Sequence, residues 1–307
     1  MIILKLSLTA TAEYAGYKLS TFLLLRRDMS HRLICRMKHD HRIHVNGVAV
    51  RTNYILSEGD FIELYVDIDR EKVGILPENL DLDVIYEDDS IFAINKRPSM
   101  LVHPVAKHQS GTIANGIAYL LVKNGFPPVV RPLSRLDRDT SGILLFAKNA
   151  YIQESLIRQM KQDGFGKHYF AIVHNKVMPK QGSILHPIAR KPGSIVHREV
   201  NDAGQKAITH YRTITSNEKA TFLDVSIETG RTHQIRVHLT HLGFPIIGDD
   251  LYDPLSIDNY GITRQALHSY SISFVHPYTK KAMELYAPLP KDMKDLLSLL
   301  ALQSEFI

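Results

Sequence analysis

The spacing of apolar residues changes period several times along the chain, and each change marks an element. Residues 1–12 read as a short strand or arm. Leu19, Phe22 and Leu23, with Leu24 and Leu25 beside them, fit a first helix that ends near Asp28 and Met29. Ser30 is placed to cap a second helix, whose Leu33, Ile34 and Met37 share one side while Arg32, Arg36 and Lys38 lie largely elsewhere. Ile43-His44-Val45 and Val48-Ala49-Val50 flank Asn46-Gly47, a dipeptide that tolerates the positive φ of a tight hairpin turn. A further turn at Gly59-Asp60 leads into a strand over 61–66.

Residues 67–80 carry charges, Gly74, Pro77 and Asn79, and read as a linker. Beyond it, 83–86 and 91–95 predict a hairpin, and 112–123 a helix broken by Gly125-Phe126-Pro127-Pro128. The unbroken apolar run 143–147 reads as a buried strand. A helix over 150–161 has Ile152, Leu156, Ile157 and Met160 on its apolar side, and 167–173 reads as a strand. Residues 176–206, with several Gly, Pro and Lys, read as a mobile loop or hairpin excursion. Strands resume at 207–211 and 221–227. Thr232 can then cap a helix that turns Ile235, Leu239 and Leu242 to the core and stops at Gly243. A short helix follows Lys291.

With 307 residues there is room for two domains and a substantial core. No apolar run approaches the ~20 residues of a membrane span, and the N-terminus lacks the basic, apolar and small-residue succession of a signal peptide. The single cysteine, Cys35, excludes an internal disulfide and a multi-cysteine zinc site. The expected setting is the cytoplasm. The histidines are scattered with no His-Glu-x-x-His pattern, so no metal is expected. The net charge of +5 is unevenly placed: residues 26–51 hold seven Arg and Lys against two Asp, which equals the excess of the whole chain. Such a patch is the footprint expected for a phosphate backbone, or else a solvated basic face.

The densest candidate chemistry is Arg135-Leu136-Asp137-Arg138-Asp139-Thr140-Ser141-Gly142, set against the run 143–147. As an isolated motif it is ordinarily a solvated surface turn. It can also be a carboxylate held ionised and aimed by arginines at the mouth of a cleft. RLDRDTSGILLFAKN resembles the catalytic-loop motif of the RluA-type pseudouridine synthases, which isomerise uridine to pseudouridine in RNA. Further segments resemble that family in its order: Lys96-Arg97-Pro98 with Val102-His103-Pro104, Lys167-His168-Tyr169, GRTHQIRVHLTHLGFPIIGDDLY from Gly230, and the closing Leu267-His268-Ser269-Tyr270. The two short helices, Asn-Gly hairpin and Gly-Asp turn of residues 13–66 resemble the RNA-binding domain of ribosomal protein S-four.

The resemblance implies an α+β fold. A catalytic domain over 81–307 has a mixed, mostly antiparallel sheet with flanking helices; 71–80 link it to a small α/β RNA-binding domain over 1–70. It implies that Asp137 is the catalytic group, that Tyr169 stacks on the target base, and that Arg236 contacts the aspartate. By itself, a tyrosine at the start of a strand is more often half-buried against the sheet, and a lysine before proline at a strand end, such as Lys96, only a rim charge. Arg231 and Arg236 are five residues apart, about 140° around a regular helix, so both do not serve one carboxylate. Arg231 is assigned to phosphate or to the loop. Arg135 fills the space of a flipped nucleotide, and Arg32, Arg36, Lys38 and Arg42 of the basic segment bind RNA. No cofactor is required. The expected partner is structured RNA, ribosomal ahead of transfer RNA, and the expected state a monomer. The rival readings are an inactive RNA-binding relative and a glycosidase-type hydrolase. The latter commonly needs two well-separated carboxylates, which Asp137 and Asp139 do not supply.

Overall fold

The computed structural model describes residues 3–26, 29, 31–67, 74–106, 108–162, 164–253 and 258–303, with the side chains of 3, 4, 26, 32 and 67 outside the description. The helix end expected near Asp28, the Ser30 cap and residues 71–73 of the linker therefore fall outside it. Four strands and two helices come first: β1 (Ile3–Thr9), α1 (Leu19–Arg26), α2 (His31–His39), β2 (Ile43–Val45), β3 (Val48–Ala49) and β4 (Phe61–Asp67). The strands form an antiparallel sheet in the order β1-β4-β2-β3. Asn46 and Gly47 both take positive φ (51° and 79°), as a two-residue hairpin turn requires. The Asn46 amide then donates to Asp60 Oδ1 at 2.8 Å and accepts the Phe61 N–H at 2.8 Å, clasping this turn to the next. Leu19, Leu23, Leu33, Ile34 and Met37 of the helices bury against Ile43, Ile62 and Leu64 of the sheet.

The rest of the chain builds a ten-stranded sheet. Its elements are β5 (Asp83–Glu87), β6 (Ile91–Lys96), α3 (Ile113–Lys123), β7 (Arg131–Pro132), β8 (Ser141–Ala147), α4 (Ala150–Gln159), β9 (Gly166–His174), β10 (Gln181–Ile184), β11 (Ile188–Arg190), β12 (Arg198–Val200), β13 (Thr209–Ser216), β14 (Ala220–Ile227), α5 (Gln234–His241), β15 (Leu267–Val275), β16 (Ala282–Tyr286) and α6 (Lys291–Leu299). The main path is β10-β13-β14-β9-β15-β8-β6-β5, with β16 on β15 and β7 on β8. All pairings but β8 with β15 are antiparallel. β8 is buried at every position, which is why its sequence shows no alternation. Phe92, Ile94, Leu144 and Phe146 share a core with α3 and α6; Ile91, Ala93, Ile143 and Leu145 share one with α4 and the helices of the small sheet.

Residues 176–206 take the hairpin form of their reading rather than the loop form, and the linker is ordered at its end. Residues 176–206 contain β10, which edges the main sheet, and the separate hairpin β11–β12. These strands are three or four residues long and broken by Pro and Gly, too short to show a period. The end of the linker is also held: Leu80 and Leu82 lie against Gly116 of α3, and Asn115 donates to the Leu76 carbonyl at 2.9 Å.

The loop before β8 is pinned from several sides. Lys96 is no rim charge: it is wholly buried at the end of β6, and its ammonium donates to the carbonyls of Arg97 (3.0 Å), Met100 (3.1 Å) and Arg138 (2.6 Å). Burial pushes its pKa down to about 7, with the carboxylates of Asp139 and Asp137 pulling the other way. Arg264 donates to the Asp139 carbonyl at 3.2 Å while its Nε and Nη2 fork onto Asp292 of α6. Ser141 Oγ meets His268 Nδ1 at 2.9 Å, and burial holds that imidazole down at about 4, so it is neutral and accepts the hydroxyl proton. Gly142 adopts φ 109° beside Ser269 of β15, and any Cβ there would strike the Ser269 backbone. The glycine of the motif is thus what lets the parallel pair close.

Two outcomes follow for stability. Gly142→Ala should cost about 2–4 kcal/mol in urea denaturation, because it adds a clash to a strained φ. For Lys96, the folded-state pKa lies below the ordinary 10.5. Between about pH 7 and 10.5 the unfolded chain therefore binds the extra proton, so stability rises with pH across that window. Below it both states are protonated and the cost of the buried ammonium is full. The stability of wild type relative to Lys96→Met should accordingly increase from pH 7 to about pH 9.5 in the same assay; an unchanged difference would contradict the buried charge.

Candidate active site

The β7–β8 loop presents Asp137 at the wall of a cleft of about 1290 Å³. Across from it, the chain leaves β14 and turns into α5. That helix does not begin behind a Thr232 cap. His233 occupies the N-cap in left-handed backbone (φ 58°) and makes no capping bond with its side chain. The Gln234 side chain instead ties down the turn before the helix, its Oε1 accepting the Arg231 N–H at 3.0 Å and the Thr229 hydroxyl at 2.8 Å. The His233 ring is left to lie along the cleft, with Nε2 3.9 Å from Asp137 Oδ2.

Arg236, in the first turn of α5, carries the centre. Its Nη1 donates to Asp137 Oδ2 at 3.0 Å, while Nε and Nη2 fork onto Asp249 Oδ2 and Oδ1 at 2.7 Å each. Asp249 is wholly buried, and its Oδ1 also accepts the N–H groups of Leu251 and Tyr252, both at 3.1 Å. Burial opposes the charged guanidinium, but its bonds and charge pairing with Asp249, then Asp137, outweigh that and raise its pKa. Asp137 keeps 23% of its side chain exposed, against 6% for Arg236. One end of the ion chain is therefore sealed and the other opens to the cleft.

Tyr169 on β9 lines the same cleft. Burial, with some help from Asp137 and against the pull of Ser269, pushes its pKa up to about 12, so it stays a neutral phenol. Next to it on β9, burial pushes the Lys167 ammonium down to about 8. Arg135 is exposed on the cleft wall near His103, whose pKa is lowered by burial and by that guanidinium.

The structure brings Asp137, Tyr169, Arg236 and Arg135 to one cleft. Arg231 is not on α5, so the angular comparison of the two arginines does not apply to it. It lies in the preceding turn, and its Nε and Nη1 donate at 2.9 Å to the Lys206 carbonyl and to Gln205 Oε1. The remaining basic residues expected to bind RNA lie elsewhere: Lys38 is exposed on α2, Arg36 is half-buried close enough to Arg131 to lower its pKa, and Arg42 is mostly buried beside Asp40 at 3.8 Å. Arg32 is on α2, its side chain outside the description.

Sequence reasoning did not nominate Asp249, Tyr252, His233 or Arg264. Tyr252 stacks on Arg236, with the guanidinium carbon 5.1 Å from the ring centroid, and its hydroxyl lies 2.9 Å from His233 Nδ1. All but Arg264 stand inside the block that begins at Gly230, yet Asp249 and Tyr252 follow Arg236 across a turn that no helical or strand period links.

Comparison with known proteins shows the family. The sequence profile described as RNA pseudouridylate synthase matches residues 90–241. An uncharacterized RNA pseudouridine synthase of Bacillus subtilis, YjbO, is 40% identical over 286 residues, 93% of this chain and 97% of that protein. The ribosomal large subunit pseudouridine synthase D of Buchnera aphidicola is 34% identical over 270 residues, 84% and 85% of the two chains. Among solved structures, human RNA pseudouridylate synthase domain containing 4 shares the fold with a TM-score of 0.58 at 21% identity, covering 72% of this chain and 94% of that one. With its α+β fold, its mostly antiparallel sheet and relatives matched over nearly their whole length, the chain belongs to the RluA-type family of RNA pseudouridine synthases, enzymes that isomerise uridine within RNA.

Proposed function

We propose that Asp137 is the catalytic group of this isomerase, with Arg236 as its ion-pair partner and Tyr169 as the surface that holds the uracil. The observation that carries this reading is the chain Asp249–Arg236–Asp137, sealed at one end and open at the other. The reaction breaks the glycosidic bond, turns the uracil while it stays bound, and rejoins it to the sugar through carbon five. A carboxylate serves by attacking the sugar or by removing a sugar proton, and both need an ionised, aimed oxygen. Arg236 favours that state and restricts its direction. Tyr169, neutral and nearly buried, offers a flat face to a base that has lost its stacking partners, and Arg135 on the rim is placed to occupy the vacated position.

The substrate reading is structured ribosomal RNA of the large subunit, with transfer RNA second. It is supported by the names of relatives such as the Buchnera synthase. It is also supported by the cations that line the cleft, Arg135, Lys161, Lys167, Lys206 and Arg231, which suit a phosphate backbone. Residues 1–70 act as the RNA-binding module, joined through 71–80 to a catalytic domain over 81–307. Arg32, Arg36, Lys38 and Arg42 of that module, with Arg231 at the cleft, contribute RNA contacts. The enzyme works as a cytoplasmic monomer. Among the described residues no helix is long and apolar enough to cross a membrane.

Asp137→Asn should lower the rate of pseudouridine formation by about 10³-fold or more while leaving thermal unfolding and RNA binding nearly unchanged. The assay is purified enzyme on unmodified ribosomal RNA, read by a reagent selective for pseudouridine. No free uracil should appear at any time; its release in step with lost uridine would indicate hydrolysis. Wild-type turnover by Asp137→Asn would overturn the assignment. Mapping total RNA from cells with and without the gene identifies the sites, which wild type should restore and Asp137→Asn should not.

A further inference from the structure

Tyr252 carries two hydrogen bonds on one hydroxyl, and together they decide which nitrogen of His233 holds a proton. The Arg198 backbone N–H of β12 reaches the Tyr252 oxygen at 2.8 Å, and a backbone N–H can only donate. Among the described residues the hydroxyl has no other partner, so its own proton goes to His233 Nδ1, 2.9 Å away, which accepts it. An Nδ1 that accepts leaves the proton of a neutral imidazole on Nε2. Nε2 is the nitrogen that faces Asp137 Oδ2 at 3.9 Å. The opposite tautomer would aim a lone pair at the carboxylate, so the electrostatics of the pair favour the same choice. The ring is neutral on independent grounds: burial, then the guanidiniums of Arg236 and Arg198, lower its pKa, against the pull of Asp137 and Asp249.

We infer that Tyr252 is a positioning residue: it fixes His233 as the Nε2–H tautomer, so that Arg236 and His233 both direct donors at Asp137 Oδ2 and leave Oδ1 as the oxygen that reacts. No described residue gives Oδ1 a hydrogen bond, whereas Oδ2 has the Arg236 bond at 3.0 Å. The 3.9 Å gap to Nε2 exceeds a direct bond and lies within reach of charge–dipole attraction. The left-handed N-cap of α5 has its explanation here. A non-glycine residue at φ 58° is strained, and this conformation carries the ring to the point where it meets Tyr252 on one side and Asp137 on the other. Asp249 supports the same construction, accepting from the Tyr252 backbone N–H while it anchors Arg236.

The inference rests on Asp137 as the catalytic group, and the test separates the two. Single-turnover rates at saturating RNA, and RNA dissociation constants, are compared for wild type, Tyr252→Phe, His233→Ala, His233→Gln and Asp137→Asn. Glutamine is the decisive variant, because its amide N–H can stand where Nε2–H stands but cannot titrate. Tyr252→Phe and His233→Ala should lose about tenfold in single-turnover rate with RNA affinity held within about twofold, and His233→Gln should recover most of the loss. Nitrogen-15 shifts of the His233 ring should report protonation at Nε2 alone at neutral pH. Wild-type rates in both Tyr252→Phe and His233→Ala would overturn the inference, as would a glutamine variant no better than alanine, or a ring protonated at Nδ1. Each of these leaves the catalytic role of Asp137 intact so long as Asp137→Asn is inactive; an active Asp137→Asn removes that role instead.

Discussion

One guanidinium holds two carboxylates, and much of what surrounds the ten-stranded sheet at this cleft is arranged around keeping it there. A buried Arg–Asp pair is costly to desolvate and is retained only where its geometry is good and its remaining donors are used. Here the Asp249 fork satisfies two donors of Arg236 and two backbone N–H groups besides, so the inner end of the chain is fully bonded. Of the guanidinium's remaining N–H groups, one on Nη1 is directed at Asp137. The site is then a fixed positive point with a partly exposed carboxylate in front of it. A more exposed arginine would be screened and mobile, and would orient the carboxylate weakly.

Bringing Arg236 and Asp137 together requires chain segments 99 residues apart to meet with little tolerance. The parallel pairing of β8 with β15 steadies the Asp137 side of that meeting, since it places the loop before β8 beside Arg264 and Gln265, which precede β15. Lys96, Arg264 and His268 then fasten the loop by its carbonyls and by Ser141. Each of these is a polar group buried in the service of one short segment, and each is bonded there. A loop that must hold a charge at a cleft wall has few apolar contacts to define it, so hydrogen bonds do so.

Legibility in the sequence followed the range of the interaction. Asn46-Gly47 was readable because the turn acts over four residues. The Arg135–Gly142 motif stood out because charges and a glycine are crowded against a strand, although the reason for Gly142 lies in β15, over a hundred residues away. Lys96 read as a rim charge because nothing nearby in sequence reveals that three carbonyls surround it. Thr232 had the right chemistry for a cap, but the helix starts one residue later, behind His233 in left-handed backbone. Asp249 and Tyr252 became meaningful only once the turn after α5 folded back onto Arg236.

The most direct test of this account is the single-turnover rate of Arg236→Lys on an RNA that the wild-type enzyme modifies, with thermal unfolding measured alongside. An ammonium keeps the charge but cannot fork onto Asp249 and reach Asp137 together. The account predicts a loss of at least about a hundredfold in rate with RNA affinity largely kept. A folded Arg236→Lys enzyme with the wild-type rate would show that positive charge alone suffices and that the aimed guanidinium is not what the site depends on.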